Sequence, residues 1–257
     1  MKRAFIRAFW GDVYWVNNYG KQASKIRKDV ENTIANSYTE PFHIYVMGEK
    51  DADALSKNRA LMDIATIKLV STASIWWDME TQMWRHKLDI LEAAMRDFDE
   101  IVFLDWDVRA TRPLPSDFWE VMSLKSTFQA NLFQYRTKKC LWRQDEQRKT
   151  CNGGFVYIGH KSIPSKIIRA YDDLEMWVWD QKKKRESQGK TLRFREEALI
   201  RDDEPSMSKY VDGLYGEWPG SDVYLQQHEP VFCNLRRKSA YDQEVLDLKD
   251  ICFYHHL

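Results

Sequence analysis

Phe98-Asp99-Glu100-Ile101-Val102-Phe103-Leu104-Asp105-Trp106-Asp107-Val108-Arg109 is an apolar run that ends in two acids one residue apart. Ile101 to Leu104 form the unbroken apolar stretch that a strand buried on both faces requires. Asp105 and Asp107 follow at its carboxyl end, where open α/β sheets place their ligand crevices, and the period of two along a strand sets both acids on one side with Trp106 opposite. Two carboxylates brought to one point repel unless a cation lies between them. A hard divalent ion completed by substrate phosphates, Mg²⁺ or Mn²⁺, suits such a pair. The stretch therefore points to chemistry on a phosphate-bearing substrate.

Working outward, Trp84, Leu88, Leu91, Met95 and Phe98 recur at spacings of four and three, one apolar face of a helix that leads into the strand. Arg85 and Lys87 sit near its start, Lys87 within reach of a phosphate. Downstream, Arg112-Pro113-Leu114-Pro115 stops any continuation, and Ser116-Asp117 before Phe118-Trp119 opens another helix. Further strands are expected at 4–10, 42–47 (ending in Gly48-Glu49) and 67–70, with a helix marked by Ala23, Ile26, Val30 and Ile34. Strands and helices in alternation imply right-handed parallel crossovers. Later strands at 127–133 and 154–158 are expected to pair antiparallel. A helix is expected at 165–179 with Ile167, Tyr171, Leu174 and Val178 along one face, and a final strand near Cys252 to Leu257. No internal repeat and no long linker divides the chain.

At 257 residues, with 44% hydrophobic content, the chain suits a single enzyme-sized core. Lys plus Arg equals Asp plus Glu at 39 each, which argues against generalised attraction to DNA or to an anionic membrane. The first twenty residues alternate charge with apolar residues and lack a continuous apolar stretch. They predict no signal peptide or transmembrane anchor, and hence a cytoplasmic protein. Cys140, Cys151, Cys233 and Cys252 lack zinc-site spacing and read as reduced thiols. Lys182 to Arg195 carries seven basic residues against one acid. It reads as a solvated loop, with an edge for a polyanionic acceptor, nucleic acid included, as the alternative. Trp76 or Trp77, if exposed, could stack on a sugar ring or base.

The segments Trp84-Arg85-His86-Lys87-Leu88-Asp89-Ile90-Leu91 and Ile101 to Asp107 resemble the nucleotide-binding half of GT-A-fold glycosyltransferases that use nucleotide-sugar donors. Three further stretches are similar to segments of that family, in its order: Cys151-Asn152-Gly153-Gly154-Phe155-Val156-Tyr157-Ile158, Asp202-Asp203-Glu204-Pro205-Ser206-Met207-Ser208, and His255 or His256 at the end. The resemblance implies an α/β fold: one GT-A-like, Rossmann-like domain over 1–257 with a mixed, mostly parallel central sheet flanked by helices. Residues 1–115 would form the nucleotide-sugar-binding half and 116–257 the acceptor side.

The resemblance also implies a metal held by Asp105, Asp107 and His255. The imidazole favours Mn²⁺ over Mg²⁺. Donor contacts are implied for Trp10, Arg85, Lys87, Asp105, Asn152 and Gly153, with Asp105 on the metal or the ribose. Asp203 and Glu204 are the candidate catalytic carboxylates, as a base or as a stabiliser of positive charge at the sugar. With Pro205 as first helical residue, Glu204 would take the cap position. The implied reaction is metal-dependent transfer of a sugar from a nucleotide sugar, a UDP-sugar foremost, to the hydroxyl of a glycan, protein or nucleic acid. One rival is a sugar-nucleotide nucleotidyltransferase, but Phe9-Trp10-Gly11-Asp12-Val13-Tyr14 lacks the glycine- and basic-rich loop expected after its first strand. The other is a non-catalytic carbohydrate- or nucleic-acid-binding module on the same fold.

Overall fold

The computed structural model describes residues 1–9, 31, 42–71, 85–105, 108–110, 114, 116–125, 127–134, 149–197, 199–200, 204–217, 232–235 and 253–256. For some of these, Asn152 and His255 among them, only the backbone is described. The helix expected around Ala23 to Ile34 and the tryptophans at 76 and 77 fall outside those residues, Glu31 apart.

Nine strands are described: β1 Arg3–Phe9, β2 Phe42–Met47, β3 Thr66–Ser71, β4 Glu100–Leu104, β5 Val108–Ala110, β6 Phe128–Gln134, β7 Lys149–Ile158, β8 Phe232–Leu235 and β9 Phe253–His256. The described helices are α1 Glu49–Ser56, α2 Arg59–Met62, α3 Arg85–Asp97, α4 Phe118–Lys125, α5 Ile163–Glu186, α6 Phe194–Glu197 and α7 Glu204–Glu217. Six strands form the main sheet in the order β3-β2-β1-β4-β7-β6. The first four run parallel, and β7 lies antiparallel to both β4 and β6. A smaller sheet, β5-β9-β8, carries the chain away from the end of β4.

β4 is apolar from Ile101 to Leu104 because both of its faces are covered there. Ile101 and Phe103 join Ala4, Ile6 and Ala8 of β1 against α3 and α5. Val102 and Leu104 join Phe5 and Phe9 of β1 against Leu55 of α1, Leu61 of α2 and Phe118, Trp119 and Met122 of α4. A lone 13-residue helix such as α3 is marginal in water, so packing decides it. Leu88, Ile90, Leu91 and Met95 are buried, each worth about 1.5–3 kcal/mol. The helix ends where the Asp99 amide turns to the Lys2 carbonyl at 2.8 Å, which aligns the coming strand with β1.

Gly48, at φ 97°, is in the left-handed region that a glycine adopts without strain, and it lets β2 turn directly into α1. At the opposite end of β2, His43 is buried against Phe98. Tyr45 donates to Asp97 at 2.5 Å, and Lys68 donates to the same carboxylate oxygen at 2.7 Å. Burial, then the Lys68 charge, pull the His43 imidazole down to about 4 against the opposing pull of Asp97.

The expected loop over 182–195 is corrected in part. α5 runs on to Glu186, so Lys182 to Arg185 form its last turn. Arg185 grips Glu196 of α6 at 2.7 and 2.8 Å. Burial pushes the Glu196 carboxyl up, but the hydrogen bonds from Arg185 and the Arg193 amide outweigh it and leave the group below its ordinary value. Lys182 lies 4.6 Å over the Trp179 ring, while Lys183, Lys184 and Lys190 are exposed.

Candidate active site

The parallel strands deliver their carboxyl ends to one place, and α3, which precedes β4, brings its amino-terminal turn there. Lys87 lies in that turn and is 1% exposed. Its ammonium sits 3.1 and 3.3 Å from the Asp105 carboxylate oxygens and 2.9 Å from the Gly153 carbonyl, with the Phe103 ring 4.5 Å away. It thus ties α3 to the end of β4 and to β7. A buried ammonium requires such partners, since its transfer from water costs several kcal/mol when uncompensated. Asp105 differs from it in one decisive respect: its side chain retains 34% exposure. The carboxylate is thus held from within and only partly covered.

The backbone around Asp105 is fixed just as tightly. Its amide donates to the Gly154 carbonyl at 2.9 Å, and its carbonyl accepts from the Val108 amide at 3.0 Å, closing a turn over 105–108. Arg7 of β1, wholly buried, approaches the turn from the sheet face opposite α3. It donates from Nη1 to the Asp105 carbonyl and from Nη2 to the Val108 carbonyl at 3.1 Å. Its guanidinium also lies 5.7 Å from the Phe42 ring. Sequence reasoning missed Arg7. The signal was there in Arg3-Ala4-Phe5-Ile6-Arg7-Ala8-Phe9, where a strand buried on both faces carries a cation at a position flanked by two phenylalanines.

Val108 then enters β5, and its backbone partner on β9 is His255. Residues 147 apart in sequence are thereby adjacent, and in sequence Asp107 stands next to Val108. Among the described residues no three His, Cys, Asp or Glu side chains gather as a metal site would need. Asp107 and the His255 side chain lie outside them. In chemical type, two carboxylates and an imidazole suit Mn²⁺ or Mg²⁺.

The other expected site residues are distributed as follows. Gly153 is buried and gives its carbonyl to Lys87. The Asn152 backbone lies in β7, paired with Asn131. Arg85 turns to Asp89 at 3.0 Å and to Asp172 of α5, over the Tyr171 ring. Burial works against its charge, but those carboxylates raise its pKa above the ordinary value. Glu204 is the first residue of α7, one position earlier than Pro205, where the helix was expected to begin, and its carbonyl accepts from Ser208 at 2.7 Å. Trp10 and Asp203 lie outside the described residues.

The parallel strands and the antiparallel return strand β7, flanked by helices, form a mixed α/β sheet of the GT-A-like kind. Among solved structures the chain is similar to the crystal structure of mouse xyloside xylosyltransferase 1, apo form, with 10% sequence identity and a TM-score of 0.55. The match covers 100% of this chain and 98% of that one, and it is a likeness of fold. No protein-family model and no curated protein sequence matches the chain. No described helix is long and apolar enough to cross a membrane.

Proposed function

We propose that the chain is a metal-dependent glycosyltransferase that moves a sugar from a nucleotide sugar, a UDP-sugar foremost, to an acceptor hydroxyl. The observation that carries this reading is the state of Asp105. It lies at the carboxyl end of β4 in a GT-A-like sheet, paired with a buried lysine while its own side chain stays 34% exposed. Asp105, Asp107 and His255 would hold Mn²⁺ or Mg²⁺, and the register that sets His255 beside Val108 supports that set. When bound, such a cation neutralises charge developing on the departing diphosphate. Lys87 orients Asp105 and adds fixed positive potential beneath the same leaving group. The buried Gly153 lets the donor approach the backbone closely. Glu204, the first residue of α7, and Asp203, which precedes it in sequence, are the carboxylates for the sugar end of the donor, where the positive end of a helix favours negative charge.

The test is a panel of nucleotide sugars, UDP-xylose and UDP-hexoses included, assayed for hydrolysis and transfer with Mn²⁺ and with EDTA. We expect hydrolysis of at least one UDP-sugar with Mn²⁺, loss of it in EDTA, and loss of it in Asp107→Asn with the fold retained. Activity that survives EDTA unchanged removes the metal from the reading. Turnover of UTP with a sugar 1-phosphate, in place of any UDP-sugar, makes the chain a nucleotidyltransferase instead.

A further inference from the structure

We propose that Arg7 is a positioning residue that sets the geometry of the acidic turn from beneath the sheet, an inference that rests on the glycosyltransferase reading above. Among the described residues its neighbours within the sheet on that face are apolar: Phe5 and Phe9 on its own strand, Ile44 opposite it on β2, and Val102 and Leu104 on β4. A wholly buried guanidinium among such residues carries a large desolvation cost, and an apolar side chain in its place would carry none. What the guanidinium gains is a grip on both ends of one turn, the carbonyls of Asp105 and Val108. Between those two residues the sequence places Trp106 and Asp107.

The geometry suits arginine and no other side chain. Two N–H groups on separate nitrogens of a rigid planar fork reach two carbonyls at once, whereas a lysine ammonium is a single point on a flexible stem. The Asp105 carbonyl already accepts from the Val108 amide, so Arg7 fills its second lone pair. With the Val108 carbonyl also engaged, the backbone oxygens at both ends of the turn are committed to the protein. Lys87 does the matching work from the α3 side, on the Asp105 carboxylate itself. Arg7 holds the backbone and Lys87 the side chain, so the acid is aimed before any ligand arrives.

The experiment compares wild type, Arg7→Met and Arg7→Lys by amide hydrogen exchange, melting temperature and steady-state kinetics per folded molecule. In Arg7→Met the Val108 amide, which closes the turn, should exchange at least about tenfold faster while the Phe5 and Ile6 amides within β1 are unchanged. kcat should fall about tenfold or more in both variants, because displaced catalytic groups cost rate even when binding survives. Arg7→Lys should recover melting temperature without recovering kcat, which a residue serving stability alone would not show. Unchanged exchange at Val108, or kcat within twofold of wild type in both variants, overturns the proposal. If wild type turns over no nucleotide sugar, the functional reading has failed and the exchange result alone decides Arg7. If Arg7→Met does not fold, the same exchange and kcat comparison is made on Arg7→Lys.

Discussion

Replacing Lys87 by methionine keeps the stem packed and removes only the ammonium, 3.1 and 3.3 Å from the Asp105 oxygens and 2.9 Å from the Gly153 carbonyl. Breaking a fully buried ion pair costs about 3–5 kcal/mol, because a charge is left without compensation. Here the remaining charge is Asp105, whose 34% exposure lets water recover part of the loss. The better guide is a hydrogen bond to a charged group, about 1.5–3 kcal/mol. The Gly153 carbonyl, buried and deprived of a donor, adds to this and sets the expectation at about 2–3 kcal/mol. For a chain of this size that is a fall in melting temperature of about 4–12 °C. Urea unfolding of Lys87→Met, Asp105→Asn and the double variant isolates the pair. The coupling should be about 1.5–3 kcal/mol, and single effects that simply add within about 0.5 kcal/mol would show that the contact does not hold Asp105 in solution.

His43 should make the fold acid-sensitive. In the unfolded chain the imidazole titrates near 6.5, and in the folded chain at about 4. The unfolded state therefore takes the proton first as pH falls, so stability is whole above pH 6.5 and declines through the window down to 4, by roughly 3 kcal/mol. His43→Leu should remove that slope in urea unfolding across the window, and an identical slope in both proteins rejects the role. Arg185→Ala should destabilise by about 2–4 kcal/mol, since Glu196 is buried and Arg185 is its charged partner. Lys183→Ser and Lys184→Ser, on exposed positions of the same turn, should stay within about 0.5 kcal/mol, and equal losses from all three would contradict the pairing. Asp203→Asn and Glu204→Gln keep shape, so a catalytic carboxylate predicts a large fall in kcat with UDP-sugar affinity retained. Loss of melting temperature alone would leave both as a helix cap.

The central sheet was legible in the sequence because burial on both faces leaves a local mark. β2 and β4 are runs in which all side chains but His43 and Glu100 are apolar or aromatic, and the expected bounds differ from the observed ones by at most a residue. Burial marks α3 and α5 as well, since Leu88, Leu91, Met95, Ile167, Tyr171, Leu174 and Val178 are buried at the spacings from which the helices were read, although α5 runs seven residues past its expected end. Asp105 and Lys87 were legible as candidates, an acid that ends an apolar strand and a lysine at the start of the preceding helix, and the structure brings them within 3.1 Å of each other.

Partnership was not legible. Arg85 and Lys87 look equivalent in the sequence, yet residues two apart on a helix point in different directions, so one meets Asp172 of α5 and the other Asp105. The basic run around Arg185 looks like a loop by composition. Lysine and arginine propagate a helix well, and Arg185 falls in line with Val178 on the buried face, where it meets an acid that the chain brings back only in α6. Arg7 and His255 carry the point furthest. The composition of a strand or a tail sets which side chains can lie in it, since those preferences are local. Whether the guanidinium of residue 7 finds the carbonyls of 105 and 108, and whether residue 255 lines up with 108, depends on strand order and register across some hundred residues or more. Those follow from how the buried faces fit together in space, and no local pattern encodes them.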